Sequence, residues 1–252
     1  MIFYFSATGN SKYVAERIAI ATNDKIVSIT ESIKNDVYTF KVNNGENIGF
    51  ITPTYSWGLP TVVIDFIKRL RINNYNANYV FHVLTFGTIT GQAHSLMKNC
   101  LKKIGLPLNG KYIVRMVDTW TPIFNLTDIA KNNNILDKAE EQIDKVIGQI
   151  DLKTIGDFNN RKVPFGCIFY KLDYQNGKPT NKFTVDNFCI SCRLCARQCP
   201  VAAIELLNGK PVWTEKRCAG CLGCLHRCPK FSIQYGKSTK KHGQYVNPKV
   251  KL

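Results

Sequence analysis

The sequence near the N-terminus reads IFYFSATGNSKYVAERIAIA over residues 2–21. Its first four residues are apolar and predict a buried strand, and the polar, glycine-containing run 6–11 follows as a loop. From residue 12 to 21 the apolar residues recur at helical spacing, which predicts a helix. A strand, a tight loop and a helix in this order are typical of one unit of a parallel sheet with covering helices.

The same alternation continues to about residue 150. Further strands are predicted at 25–29, 48–51, 79–84 and 111–117, and further helices at 60–70, 92–104 and 135–150. The pattern predicts an α/β fold, a doubly wound five-stranded parallel sheet, followed by a small α+β domain. At 252 residues the chain is long enough for one large domain and a smaller one.

The regular alternation ends in a segment rich in glycine, asparagine and proline. We predict a sheet domain over 1–152, a connector over 153–182 with one packed aromatic stretch at 165–170, a cysteine-rich domain over 183–236 and a basic C-terminal tail over 237–252.

Eight of the ten cysteines form an internal repeat. The stretch CISCRLCARQCP (189–200) recurs 29 positions later as CAGCLGCLHRCP (218–229), and each copy has the spacing C-x2-C-x2-C-x3-C-P. This spacing is typical of two 4Fe-4S clusters, in which the fourth cysteine of each copy binds the other cluster. The predicted cluster-one set is Cys189, Cys192, Cys195 and Cys228, and the predicted cluster-two set is Cys218, Cys221, Cys224 and Cys199.

Structural zinc is the alternative for this region, because zinc sites also use C-x2-C pairs. Zinc does not require a third equally spaced cysteine or a terminal Cys-Pro, and we favour clusters. The two remaining cysteines, Cys100 and Cys167, are expected to be structural. The histidines are scattered: His226 occupies a spacer position between ligands, and His94 is expected on a helix surface.

Three loops at the carboxyl ends of predicted strands carry the features of a flavin site. The first loop combines hydroxyl side chains, a glycine and a helix N-terminus, which suit an anion. The other two bring uncharged aromatic residues beside glycines, and ordinary packing is the alternative for Tyr55 and Trp57. The candidate residues are Ser6, Ala7, Thr8, Gly9, Asn10, Ser11, Thr52, Pro53, Thr54, Tyr55, Ser56, Trp57, Gly58, Phe86, Gly87, Thr88 and Gly91.

Two further expectations concern the surroundings of this site. The loops 52–60 and 86–92 contain no acidic residue, so we expect a flavin site without negative side chains. Trp120 follows the fifth predicted strand, and the sequence leaves open whether it lies near the flavin crevice or faces the cysteine-rich domain.

The motifs now allow a family comparison. The loop 6–11, S-A-T-G-N-S, resembles the phosphate loop of flavodoxins, and the cysteine repeat resembles that of bacterial two-cluster ferredoxins. The whole chain is similar to the flavodoxin–ferredoxin fusion proteins of anaerobic bacteria and archaea, including the stretches 183–186, 210–213 and 244–248. The resemblance implies FMN in the first domain, two 4Fe-4S clusters in the second, and electron transfer.

The cofactors carry the predicted chemistry, because no acid–base pair or nucleophile stands out among the side chains. We expect an electron-transfer flavo-iron–sulfur protein that passes single electrons between FMN and two clusters and serves a redox partner. The alternative is a flavin-dependent oxidoreductase that reduces a small substrate at FMN, with the clusters as its electron feed. A redox sensor that binds nucleic acid is disfavoured, because no nucleic-acid-binding motif is present.

The charge of the chain is strongly positive, with 34 Lys and Arg against 18 Asp and Glu and a formal net charge of +16. Residues 151–252 contribute +12 of this total. We expect the excess to offset the negative clusters in part and to face a redox partner with an acidic docking surface, with no nucleic-acid or membrane partner. No targeting or spanning segment is predicted, so we expect a cytoplasmic protein.

Overall fold

The computed structural model describes residues 1–163 and 166–252. The first residue of the predicted aromatic stretch 165–170 therefore lies outside the described residues. Up to residue 163 the elements are β1 (Ile2–Tyr4), α1 (Asn10–Thr22), β2 (Ile26–Ser28), α2 (Ile29–Lys34), β3 (Thr39–Lys41), β4 (Ile48–Pro53), α3 (Thr61–Arg69), β5 (Arg71–Asn73), β6 (Val80–Phe86), α4 (Ala93–Lys103), β7 (Gly110–Arg115), α5 (Ile129–Asp151) and β8 (Gly156–Asp157).

The second half contains shorter elements. From residue 166 onward they are α6 (Gly166–Asp173), β9 (Lys178–Pro179), β10 (Phe183–Val185), α7 (Leu194–Arg197), β11 (Ile204–Leu207), β12 (Lys210–Trp213), β13 (Arg217–Cys218), α8 (Gly223–His226), β14 (Ile233–Tyr235) and α9 (Thr239–His242).

The main sheet is parallel throughout, in the order β2-β1-β4-β6-β7-β8. All five predicted strands are present, and the α/β fold class is confirmed. The sixth strand, β8, belongs to the segment that we predicted as a connector, and it pairs with the start of β7 through only two residues. So short an edge strand leaves no periodic signal in the sequence.

Helices cover both faces of this sheet because both faces are apolar. Successive strand residues alternate between two cores: Phe3 and Phe50 pack with Phe66 of α3, whereas Ile2 and Ile51 pack with Ile18 of α1. Strands buried on both faces are typical of parallel sheets. The strand order changes direction at β1, and ligands of doubly wound folds bind at such a point, beyond the carboxyl ends of the strands.

The cysteine-rich half folds around a small core. Its antiparallel pairs are β10–β14, β11–β12 and β9–β13, and its buried apolar side chains are Leu222, Leu225, Ile233 and Tyr235. Phe183 stacks on Trp213 with ring centroids 4.2 Å apart. A core of this size supplies little stability alone. Small domains of this type are usually stabilised by metal centres or other cross-links.

The predicted tail 237–252 does not extend from the molecule. Residues 239–242 form α9, Tyr245 joins the core between α1 and α5, and Asn247 is fully buried. Lys249 forms an ion pair with Glu140 of α5 at 2.6 Å. The tail therefore packs along the sheet domain, and part of its positive charge is neutralised there.

Among the described residues, no helix is both long enough and apolar enough to cross a bilayer.

Candidate functional site

The two copies of the cysteine repeat share an unusual backbone. Residues other than glycine rarely adopt positive φ angles, yet Arg193 has φ 62° and Leu222, 29 positions later, has φ 54°. The same correspondence holds for Ala202 (φ 49°) and Phe231 (φ 48°). Each copy thus turns around its cysteines in the same way, which indicates that the repeat in sequence is also a repeat in geometry.

Each crossed cysteine set surrounds a small void. One void is lined by Cys189, Cys192, Cys195 and Cys228, and the other by Cys199, Cys218, Cys221 and Cys224. Neither in these two sets nor in the rest of the described residues do three His, Cys, Asp or Glu side chains lie close enough together to hold a single metal ion. Four thiol groups that line one void fit the ligand chemistry of a cubane cluster.

Backbone amides point toward the fourth cysteine of each copy. The N–H of Ala203 donates to Cys199 Sγ at 3.3 Å, and the N–H of Ser232 donates to Cys228 Sγ at 3.4 Å. Hydrogen bonds of this kind tune the reduction potential of a cluster, since they stabilise negative charge on sulfur. The two residues are again 29 positions apart.

A cavity of about 430 Å³ lies beyond the carboxyl ends of β1, β4, β6 and β7. Thirteen of the seventeen candidate flavin residues line it: Ser6, Ala7, Thr8, Asn10, Ser11, Pro53, Thr54, Tyr55, Ser56, Trp57, Phe86, Gly87 and Thr88. The three predicted loops thus meet at one cavity.

The other four candidates support the loops from outside the cavity. Thr52 is fully buried, and its Oγ1 lies 2.9 Å from His82 Nε2. A Cβ on Gly91 would lie 2.3 Å from the Cβ of Trp57, and one on Gly58 would lie 2.1 Å from the ring of Tyr170. Gly9, at φ 96°, packs against the C-terminal segment. These positions do not support the predicted direct contact of the four residues with a flavin.

The first loop leaves the N-terminus of α1 open toward the cavity. α1 begins after Gly9, and no side chain caps its first turn, which is also true of α3 and α4. The hydroxyl of Ser6 accepts the N–H of Gly9 at 3.1 Å. The uncapped N–H groups of the first helical turn are suited to an anionic group.

The turn between Tyr55 and Gly58 presents aromatic surface to the cavity. Ser56 (φ 46°) and Trp57 (φ 66°) both have left-handed backbones, closed by two hydrogen bonds of 2.9 Å between Tyr55 and Gly58. Such a conformation is costly for these residues and is frequent at ligand sites. The Trp57 ring packs on Phe169 of α6, with centroids 4.3 Å apart.

The cavity contains acidic residues that the loop sequences lack. Asp118 follows β7, and its carboxylate accepts the N–H of Trp120 at 3.2 Å. Burial raises the pKa of this carboxyl group. Asp173 of α6 is paired with Lys178 at 2.6 Å. The expectation of a site without negative side chains is therefore wrong, because strand β7 and the connector also reach the cavity.

Trp120 lies at both of the places that the sequence left open. It lines the cavity, and its ring also packs edge-on against Tyr235 of the cysteine-rich half at 5.8 Å. Lys178 Nζ lies 5.2 Å from the Trp120 ring. Sequence reasoning missed Phe169, Asp173, Tyr174 and Lys178 as cavity residues, since they come from the irregular segment after residue 151.

The two sites meet at Cys221. This member of the cluster-two set also lines the cavity, beside Gly220, and it packs against the core on one face of the sheet. No member of the cluster-one set lines the cavity. The geometry thus brings one cluster-two cysteine, and no cluster-one cysteine, against the predicted flavin site.

The histidines are placed differently from the expectation. His94 is buried, and its Nδ1 lies 3.0 Å from Nδ1 of His82. His226 is also buried: its Nε2–H donates to the carbonyl of Thr119 at 2.9 Å, and its Nδ1 accepts the N–H of Tyr245 at 3.2 Å. The assignment of His94 to a helix surface is wrong, because its face of α4 packs on the sheet.

Comparison with known families agrees with this arrangement. Residues 1–129 match the family described as flavodoxin domain. The chain belongs to the flavodoxin family. Its flavodoxin domain is followed by a 4Fe-4S dicluster domain, matched over residues 188–233. The chain is thus a fusion of a flavodoxin domain and a ferredoxin domain.

Curated relatives match the ferredoxin part of this flavodoxin-family protein. An uncharacterized polyferredoxin-like protein of Methanocaldococcus jannaschii is 30% identical over 94 residues, which cover 30% of this chain and 56% of that protein. A ferredoxin-like protein in the nif region of Trichormus variabilis is 33% identical over 49 residues, 19% of this chain and 42% of that protein. The chain spans about half the length of these relatives.

Solved structures with some similarity to the flavodoxin domain include a flavodoxin of Streptococcus pneumoniae. It has 17% sequence identity and a TM-score of 0.33, and the match covers 57% of this chain and 97% of that one. The rubredoxin oxygen:oxidoreductase of Desulfovibrio gigas has 17% identity and a TM-score of 0.32, over 59% of this chain and 36% of that one.

Proposed function

We propose that this protein binds FMN in the 430 Å³ cavity and two 4Fe-4S clusters at the crossed cysteine sets, and that it exchanges single electrons with a redox partner. The observation that carries the proposal is the position of Cys221, which belongs to the cluster-two set and lines the cavity. A flavin takes up electrons singly or in pairs, and a cluster takes them one at a time.

The side chains around the cavity suit the separate parts of FMN. The open N-terminus of α1, with the hydroxyl groups of Ser6 and Thr8, would hold the phosphate. Trp57 and Trp120 supply aromatic surface for the ring. Phe169 and Tyr174 of the connector region line the same cavity and limit the access of water to it.

The order of the centres follows from these positions. Cluster two would lie next to FMN, and cluster one would lie farther from it, where Cys192 is exposed. Cluster one would therefore exchange electrons with the partner.

The surface around the cluster-one set fits an acidic partner. Phe188 and Ile190 are 71% and 55% exposed, and Arg193, Lys210 and Lys230 are exposed nearby. Lys210 and Asn187 are joined by a hydrogen bond of 2.9 Å, which links the β12 strand to the loop that carries Phe188. A partner with an apolar centre and an acidic rim would complement this surface.

A second function is favoured by one feature of the cavity. Asp118, Asp173 and Lys178 converge on it, as polar groups do in a substrate pocket. The alternative is therefore an oxidoreductase that reduces a small substrate at FMN, with the clusters as electron feed.

The experiment that tests the proposal is anaerobic purification of the full chain with iron, sulfide and flavin analysis. We expect about eight iron atoms, about eight sulfide ions and one FMN per chain. Zinc in place of iron, or about four irons, would contradict the two-cluster assignment. Rapid oxidation of bound reduced flavin by a small molecule, unchanged when the clusters are removed, would favour the oxidoreductase instead.

A further inference from the structure

The backbone carbonyl groups of the phosphate loop are held by the C-terminal half of the chain. Arg227 donates from Nη2 to the carbonyl of Ser6 at 3.0 Å and from Nε to the carbonyl of Ala7 at 2.7 Å. The N–H of Asn247 donates to the carbonyl of Thr8 at 2.8 Å. Three consecutive carbonyls of this loop thus find their partners more than 200 residues away.

This arrangement determines where the loop N–H groups point. A trans peptide group is planar, and its C=O and N–H point in opposite directions. The bonds from Arg227 to the carbonyls of Ser6 and Ala7 therefore orient the N–H groups of Ala7 and Thr8 away from Arg227. An anion at this loop is bound through N–H groups and repelled by carbonyl oxygens, so the fixed orientation favours an anion.

Arg227 is itself anchored in the ferredoxin domain. Its Nη1 donates to Gln198 Oε1 at 3.0 Å. Gln198 and Arg227 occupy equivalent positions of the two repeat copies, each directly before the fourth cysteine. An arginine can bridge several acceptors in one plane, whereas a lysine provides a single point of charge. The guanidinium group of Arg227 therefore joins both cysteine repeats to the loop of the flavodoxin domain.

Asn247 acts on the same loop from the other side. Its Nδ2 donates to Asn10 Oδ1 at 3.1 Å, an oxygen that also accepts the hydroxyl of Tyr245 at 2.9 Å. Asn10 in turn donates to the carbonyl of Val117 at 3.0 Å. A Cβ on Gly9 would approach Asn247 Cβ to 2.9 Å, so the segment lies directly against the loop. All of these groups are buried.

We propose that Arg227 and Asn247 are positioning residues for the phosphate loop, so that the ferredoxin domain and the C-terminal segment complete the phosphate site of the flavodoxin domain. The inference rests on the proposed binding of FMN there. It gives the predicted tail a role in flavin binding, and it makes flavin affinity depend on the docking of the two halves.

Two ligands separate a phosphate-specific effect from a general one. FMN and riboflavin share the ring system, and only FMN carries the phosphate. We would titrate both into flavin-free, cluster-loaded full-length protein and follow the quenching of flavin fluorescence. Arg227→Lys keeps the positive charge and loses the planar guanidinium group. For this variant we expect the Kd of FMN to rise about tenfold, which corresponds to about 1.4 kcal/mol. The Kd of riboflavin should change less than twofold.

Asn247→Ala lies outside the cysteine motifs; it removes the Nδ2 bond to Asn10 and keeps the backbone N–H that binds the Thr8 carbonyl. It should weaken FMN several-fold with the same selectivity, and it decides the question if Arg227→Lys disturbs the clusters. Arg197→Lys, an exposed arginine of the first repeat, is the matched control and should leave both affinities unchanged. Equal weakening of FMN and riboflavin, or no weakening, would overturn the inference. If the wild-type protein does not prefer FMN over riboflavin, the proposed FMN site itself is wrong.

Discussion

At the scale of single residues, a buried histidine pair joins the sheet to α4. Thr52 Oγ1 lies 2.9 Å from Nε2 of His82, and Nδ1 of His82 lies 3.0 Å from Nδ1 of His94. Burial lowers the pKa of His94 to about 3 and also holds the pKa of His82 well below its usual range. Both rings are thus neutral in the folded protein at neutral pH.

This pair predicts a loss of stability in acid. The unfolded chain binds protons at its histidines below about pH 6.5, while the folded chain binds none at His94 until about pH 3. The stabilisation is fully present above pH 6.5 and falls by about 1.4 kcal/mol per pH unit for each histidine as the pH drops through this window. The charged groups near His94 are Asp157, Lys111 and Lys162. Burial acts to raise the pKa of Asp157, but hydrogen bonds from the two lysines outweigh it and lower this pKa to about 2.

His94→Gln removes one of these titrating groups and keeps a polar side chain beside His82. We expect its free energy of unfolding to depend less on pH between 5 and 7, by about 1.4 kcal/mol per pH unit, in urea unfolding of the full chain. Asn99→Gln, at an exposed position of the same helix, changes no titrating group; it is the control and should keep the wild-type slope. A variant slope equal to that of the wild type would contradict the assignment of a neutral buried His94.

At the scale of elements, the 55–58 turn depends on helix α6. Tyr170 of α6 is 4% exposed, and its hydroxyl donates to the carbonyl of Leu59 at 2.8 Å. Its ring lies directly over Gly58, so this position tolerates no side chain. The helix of the predicted connector therefore sets the position of the turn that presents Trp57 to the cavity.

Gly58→Ala tests the contact between residue 58 and the Tyr170 ring. The added Cβ would lie 2.1 Å from the Tyr170 ring, and we expect destabilisation by about 1–3 kcal/mol together with weaker flavin binding. Gly148→Ala is the matched control, because it lies within α5 with open space around it, and it should stabilise the protein by about 0.5–1 kcal/mol. Thermal unfolding measures both changes. Equal stability of the two variants would contradict this prediction, because it would show that the Tyr170 ring moves away from residue 58 without loss of stability.

At the scale of the whole molecule, the docking of the two halves supports the proposed order of the redox centres. Hydrogen bonds join the halves at several points, among them His226 to Thr119 at 2.9 Å and Tyr174, within the predicted connector, to Ala219 at 2.6 Å. Cys221, a member of the cluster-two set, is the cluster cysteine that this docking brings to the cavity.

This order predicts different effects of losing either cluster. Cys192→Ala removes a cluster-one ligand and Cys218→Ala removes a cluster-two ligand, and neither residue lines the cavity. Each variant should contain about four fewer irons. After pulsed reduction of FMN, the remaining cluster should be reduced quickly in Cys192→Ala and much more slowly in Cys218→Ala, as followed by absorbance and electron paramagnetic resonance. Equal rates in the two variants would contradict the order.

The features that depend on local spacing could be predicted from the order of the residues. Alternating apolar runs predicted the five strands and the helices that cover them, because the periods of strands and helices are visible within a few residues. The cysteine repeat predicted a 4Fe-4S domain, which the family match confirms, and the crossed sets, since the spacing within one motif limits where its thiols can lie.

Contacts between distant groups could be identified in the folded chain but not from the order of the residues. Asp118 reaches the cavity, His94 is buried against His82, and Arg227 and Asn247 hold the phosphate loop. None of these contacts has a local signature, because each joins residues from separate elements whose positions follow from the packing of the whole chain. The periodicity of a helix tells which side is apolar, but a single histidine or arginine acquires its role only from the partner that folding brings to it.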